Sequence, residues 1–211
     1  MALTCELLDV FFYGILIHDM NTTDNFTKHT SKNPLQRFFI QKFNEKLLKV
    51  ASDLPIESVL DVGCGEGFTL QKLTDHHIGK KLEGIEYDET AIALGKKVHP
   101  NITIKQGDIY KLPYKDNSFD LVICTEVLEH LEDTKKALNE LYRVTKKYCL
   151  LSVPHEPIFM LVDYARGKTP QSIGHINHWS RGGFSRFVET KFKVKNIYNP
   201  FPWTMILAEK V

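Results

Sequence analysis

From Ser58 onward the chain alternates short apolar runs with segments whose apolar residues recur at helical spacing: SVLDVG, TLQKLTDHH, KLEGIEYD, ETAIALGKKVH and ITIKQGD. A helix after each strand carries the chain back to its starting edge, so neighbouring strands run parallel. FDLVICTE, the helical stretch EVLEHLEDTKKALNELYRVT and YCLLSVP complete five strands. KVKNIYN and WTMILAEKV, separated by Pro200, Phe201 and Pro202, predict a closing β-hairpin. The expected fold is therefore α/β, a doubly wound and mostly parallel sheet of seven strands. Ahead of it, Leu35, Phe38, Phe39, Phe43, Leu47 and Leu48 predict an amphipathic helix over Pro34 to Val50, and the polar stretch Asn21 to Asn33 separates that helix from what precedes it. After the fifth strand, Pro157, Gly167, Pro170 and Gly174 interrupt an apolar stretch, which reads as a broken helix and a substrate-side loop, and Ser180 is placed to cap a helix reaching about Thr190. The organisation is an N-terminal segment, 1–33, and a domain, 34–211, with a small helical or loop cap at about 154–190.

A chain of 211 residues with 43% hydrophobic and 25% charged residues has enough apolar surface for one core, so disorder is not its default. Its net charge of +1 supplies no long-range field to gather a polyanion, which disfavours a dedicated nucleic-acid binder. Cys5, Cys64, Cys124 and Cys149 form no C-x-x-C pair, so neither a disulfide framework nor a zinc ribbon is expected, and a reducing cytoplasmic setting fits. The apolar stretch Leu7 to Ile17 is interrupted by Asp9 and has neither a basic leader nor a small-residue cleavage site. It reads as a segment packed on the domain, an active-site cover or a membrane-surface contact, and it is too short to span a bilayer.

The run Val59 to Gly67, VLDVGCGEG, sets glycines at 63, 65 and 67 between a strand and a helix, where backbone can approach a nucleotide-like ligand without Cβ obstruction. Its G-x-G-x-G spacing differs from the G-x-G-x-x-G of dinucleotide-binding dehydrogenases. The run resembles motif I of the class I S-adenosylmethionine-dependent methyltransferases, and the likeness continues through Gly84-Ile85-Glu86-Tyr87, Gly107-Asp108-Ile109 and Phe119 to Val127. That resemblance implies S-adenosylmethionine as cofactor, held by Asp61, Gly63, Cys64, Gly65, Gly67, Glu86, Tyr87, Asp108 and Ile109. Within the set, Glu86 receives both ribose hydroxyls, Asp108 meets the adenine amino group, Ile109 lies on the ring and Asp61 stands near the methionine end. The Cys64 thiol is expected to be a small apolar filler.

In TEVLEHL, Glu126, Glu129 and His130 stand at i, i+3 and i+4 at an expected helix start, so one face would present two carboxylates and an imidazole, a donor set suited to Mg²⁺ or Mn²⁺. The alternative is that Glu126 and His130 merely line the cofactor pocket, as in the many methyltransferases with E-V-L-E-H and no metal. The downstream pair SVPHEPIF and GHINHWS resembles the small-RNA 3′-terminal 2′-O-methyltransferases, and aligning on Trp179 puts that family's metal-binding histidine on His175. The ubiquinone-pathway O-methyltransferases, which the chain also resembles, share E-V-L-E-H and act on a catechol. Both likenesses imply a cation beside two neighbouring hydroxyls, held by Glu126, Glu129, His130 and His175.

His155, Glu156 and His178 are candidates for a general base or a substrate contact, or are hydrogen-bonded loop residues. Arg166, Lys168 and Arg181 either grip an anionic group or are solvated. Phe159, Tyr164, Trp179, Phe201 and Trp203 form an acceptor wall or pack. The expected activity is O-methylation of a small-molecule or glycan-like acceptor, with membrane contact only through a lipid-linked substrate. RNA 3′-terminal 2′-O-methylation, metal-free N- or C-methylation and a non-catalytic cofactor-binding subunit are the alternatives.

Overall fold

The computed structural model describes residues 23–156 and 174–211. Seven strands form one sheet in the order β3-β2-β1-β4-β5-β7-β6. They are β1 (Ser58–Val62), β2 (Lys81–Glu86), β3 (Ile104–Gln106), β4 (Phe119–Thr125), β5 (Thr145–Pro154), β6 (Lys193–Tyr198) and β7 (Trp203–Glu209). The first five are parallel, while β7 inserts antiparallel between β5 and β6, with Pro154 opposite Trp203. The mostly parallel, doubly wound sheet and the closing hairpin are as the alternation predicts.

Strand residues on alternate sides feed two cores. Leu121 and Ile123 of β4 join Leu70 and Leu73 of α3 (Phe68–Asp75), Ile92 of α4 (Glu89–Val98), and Phe43 and Leu47 of α2 (Pro34–Ser52). Val122 and Cys124 face the opposite way and join Leu138 and Leu141 of α5 (Thr134–Val144), with Phe184 and Val188 of α6 (Arg181–Glu189). Ser180 caps α6 by accepting from Gly183 N, and α6 covers the sheet. The other part of the expected cap, the broken helix and Arg166, Lys168, Phe159 and Tyr164, lies outside the described residues, as does the segment Leu7 to Ile17.

Two local expectations are corrected. The polar stretch Asn21 to Asn33 contains a helix, α1 (Asp24–Thr30), capped by Thr23, whose side chain accepts from Phe26 N. The stretch from Glu126 to Thr145 is not one helix. Glu126 adopts a left-handed backbone at φ 59°, Leu128–His130 makes a single 3₁₀ turn, and Leu131 is extended. Asp133 then begins α5 by accepting from Lys136 N at 2.9 Å. Having broken there, the chain starts α5 afresh with the Asp133 side chain satisfying the Lys136 amide, one of the donors a helix start leaves without a partner.

Candidate active site

The chain order reverses between β1 and β4, the two strands that begin opposite halves of the sheet, and a crevice opens at their carboxyl ends, where open α/β sheets take ligands. The loop after β1 is pinned by Ile85, whose carbonyl accepts from Gly63 N at 2.8 Å and Cys64 N at 3.1 Å. Gly63 has φ +74°, and a Cβ there would lie 2.4 Å from Val127. Gly65 has φ +54°, and a Cβ would meet Asn25 Nδ2 at 2.5 Å. The glycines thus make a cradle that any side chain would fill, as close approach to a ligand requires.

Glu86 closes the cradle. Its Oε2 accepts from Gly65 N at 2.8 Å, and its Oε1 from Tyr87 N at 2.7 Å and Asp88 N at 2.9 Å. A carboxylate offers about four acceptor positions, so one hydroxyl can join without displacing a backbone donor and a second must replace one. Asp108 accepts from Tyr110 N through Oδ1 alone, and Ile109 is buried beside it. Together with Gly63, Tyr87, Gly107 and Val127 these residues line a cleft of about 360 Å³, the size of a small-molecule site. Asp61 is buried at the end of β1. Burial, then the neighbouring Glu86, lifts its carboxyl to about 7. Cys64 is buried with its thiol pushed up by burial and packed toward Gly84, consistent with a filler.

The other half of the crevice is built around the 3₁₀ turn. Glu129, His130 and His175 each offer one ligand atom, all within 4.8 Å of one another. Backbone and one side chain hold them there: Ile176 N and Asn177 N donate to Glu129 O at 2.9 and 3.0 Å, and the Asn177 side-chain Nδ2 donates to Leu131 O at 2.6 Å. His130 Nδ1 lies 3.0 Å from Gly174 O. Glu129 Oε2 and His175 Nδ1 are buried with no hydrogen-bond partner. Unpaired buried polar atoms are costly, and three ligand atoms this close to one another fit a cation that would satisfy them. Burial, then Glu126, raises the Glu129 carboxyl. Burial, then His130, His178 and Lys28, lowers His175 to about 4, leaving it a neutral imidazole near pH 7.

Glu126 stands outside this group, which corrects the expected shared helical face. Its carboxylate accepts from Trp203 Nε1 and, at 3.1 Å, from Ser152 Oγ, because the left-handed turn aims it toward β5 and β7. His178 Nδ1 is 3.2 Å from Glu156 Oε1 beside the group, whereas His155 Nδ1 turns to Thr204 Oγ1 at 3.1 Å. Trp179 packs on Phe184 and Phe187 of α6, Phe201 is exposed against Phe39, and Arg181 is exposed.

The site also uses α1, which sequence reasoning missed. Thr23 Oγ1 and Asn25 Nδ2 donate to the buried Glu66, His29 stacks on Phe68 at 4.4 Å, and Lys28 Nζ reaches to 4.0 Å from Glu126. The available signal was the Thr-Asp pair before a short stretch ending in Lys28 and His29, a capped and dipole-matched helix in miniature.

Residues 60–153 match the model of a methyltransferase domain. Over those residues the chain carries a class I S-adenosylmethionine-dependent methyltransferase domain. The methyltransferase domain is 29% identical over 147 residues to a probable S-adenosylmethionine-dependent methyltransferase of Mycolicibacterium smegmatis, covering 68% of this chain and 54% of that protein. The chain spans about half the length of the curated relatives it matches. The fold of the methyltransferase domain is shared with the PH0226 protein of Pyrococcus horikoshii, at TM-score 0.70 and 18% identity over 85% of this chain and 93% of that one. It is also shared with the magnesium protoporphyrin IX methyltransferase of Synechocystis, solved with bound S-adenosylhomocysteine, at TM-score 0.64 and 18% identity over 85% and 88% of the two chains. No helix among the described residues is long and apolar enough to cross a membrane.

Proposed function

We propose that the chain is an S-adenosylmethionine-dependent O-methyltransferase acting on a small-molecule or glycan-like hydroxyl that has a second oxygen beside it. The observation that carries this reading is the group Glu129, His130 and His175, with a carboxylate oxygen and an imidazole nitrogen buried and unpaired. These residues would hold a divalent cation, Mg²⁺ or Mn²⁺ by the mixed nitrogen and oxygen set. When bound, such an ion supplies Lewis-acid stabilisation to a hydroxyl losing its proton. Gly63, Glu86, Asp108 and Ile109 would hold S-adenosylmethionine, which when bound would supply an electrophilic methyl group.

The chain's own residues orient and receive. The bonds from Ile176 and Asn177 to the 3₁₀ turn hold Glu129 and His175 beside each other, so that an acceptor bound there would be oriented by a fixed pair of groups. In this reading Glu156 and His178 would take the hydroxyl proton, which the 3.2 Å contact between Glu156 Oε1 and His178 Nδ1 supports by orienting the ring. The test is calorimetric titration with S-adenosylhomocysteine alongside measured Mn²⁺ uptake. Cofactor binding with one Mn²⁺ per chain, the metal lost in Glu129→Ala, supports the reading; cofactor binding with no metal uptake would sink the metal-assisted step.

A further inference from the structure

Gly63 belongs to two spaces. On one side is the cleft of about 360 Å³ that runs past Glu86 and Asp108. On the other is a smaller cavity of about 50 Å³ lined by Asp61, Thr69, Thr125 and Glu126 from the domain and by Asn25, Lys28 and His29 from α1. A ligand whose nucleoside lies in the first space puts whatever follows its ribose into the second.

The charges of the smaller cavity are lopsided. Asp61 and Glu126 are carboxyl groups, both raised above their ordinary range by burial. His29 is held to about 3 by burial, then by Lys28 beside it, so it is neutral near pH 7. Lys28 is therefore the single cation among the lining residues at that pH. It is also loosely committed, 4.0 Å from Glu126 and 5.1 Å above the centre of the Trp203 ring. Glu126 would keep its bonds from Trp203 and Ser152 if the ammonium swung away. A group with one positive and one negative end suits this lining, the ammonium toward Asp61 and the carboxylate toward Lys28.

We propose that Lys28 is the counter-ion for the carboxylate at the amino-acid end of the cofactor, so that bound cofactor and helix α1 hold each other in place. Asn25 and Thr23, which fasten α1 to Glu66 directly above the glycine cradle, set the helix at the height where Lys28 can reach. At roughly 10–15 Å³ per water the cavity of about 50 Å³ has room for about three to five waters, which an amino-acid end would displace, and a direct ion pair would offset that displacement. The proposal rests on the cofactor reading above.

The experiment compares two ligands that share the nucleoside and differ at its far end: S-adenosylhomocysteine, which carries the amino-acid group, and 5′-methylthioadenosine, which does not. Calorimetric Kd values are measured for the wild type, Lys28→Met, which keeps an unbranched stem over Trp203, and Lys28→Arg. Lys28→Met is expected to weaken S-adenosylhomocysteine by about 10- to 100-fold, the range of a charge-assisted hydrogen bond, and to leave methylthioadenosine within about twofold, with Lys28→Arg recovering part of the loss. Equal weakening of both ligands would make α1 a cover and nothing more, and overturn the role of Lys28; so would no change in either. A wild type that binds methylthioadenosine and S-adenosylhomocysteine with equal affinity also overturns it. Binding of neither ligand to the wild type takes down the cofactor reading itself, and Lys28 with it.

Discussion

The two halves of the crevice are built on opposite principles. On the side proposed for the nucleoside both carboxylates are anchored by backbone: Glu86 accepts three backbone amides and Asp108 a fourth, and their strands lie side by side in chain order. On the acceptor side a non-glycine residue takes a left-handed backbone, and Glu129 and His175 keep buried atoms unpaired. A left-handed residue of this kind costs about 1–3 kcal/mol and persists where surrounding bonds over-determine it, as Trp203 and Ser152 do for Glu126. The first half is a rigid receptor; the second stores unfavourable terms that a bound group can relieve.

If that contrast is correct, damage to the first half is read in binding and damage to the second in turnover. Gly65→Arg puts a long side chain where a Cβ already meets Asn25, and calorimetry with S-adenosylhomocysteine is expected to show no measurable affinity in a protein that keeps its far-ultraviolet dichroism. Glu129→Ala is expected to lower kcat at least about 100-fold, near 2.8 kcal/mol, with cofactor affinity unchanged; equal loss of both would erase the distinction.

A smaller effect concerns the seam. The His29 ring is held below its ordinary value, so the unfolded chain binds its proton more readily, and stability present above about pH 6.5 is lost as pH falls toward 3. His29→Phe removes that loss. Relative to wild type it is expected to gain up to about 1.4 kcal/mol per pH unit in urea unfolding between pH 6 and pH 5, and no gain would place His29 in water. Asp133→Ala, which uncaps α5 just past the 3₁₀ turn, is expected to cost about 1 kcal/mol of stability and to disturb kcat more than Kd.

The nucleoside half was legible because its signals are local. Strand, glycine turn and acidic strand end follow one another in VLDVGCGEG and GIEYD, and each residue's place follows from its neighbours in sequence. The acceptor half was legible only in part. Glu129, His130 and His175 come together as the motif likenesses imply, but Glu126 does not join them, because its partner Trp203 stands 77 positions away and no local pattern announces that bond. Helix α1 escaped notice for another reason. A stretch of 7 residues is below the length at which helix propensity speaks, and beyond its own Thr23 cap it is held by the distant Glu66 and Phe68.

The insertion of β7 between β5 and β6 has a consequence in time. Trp203 and Thr204, at the start of that strand, bond Glu126 and His155, so the acceptor half needs a strand that leaves the ribosome long after β1 to β4. Such distant pairings are slow to close. In a growing chain the strands and turns of the glycine cradle are therefore complete before the partners of Glu126 and His155 have been made.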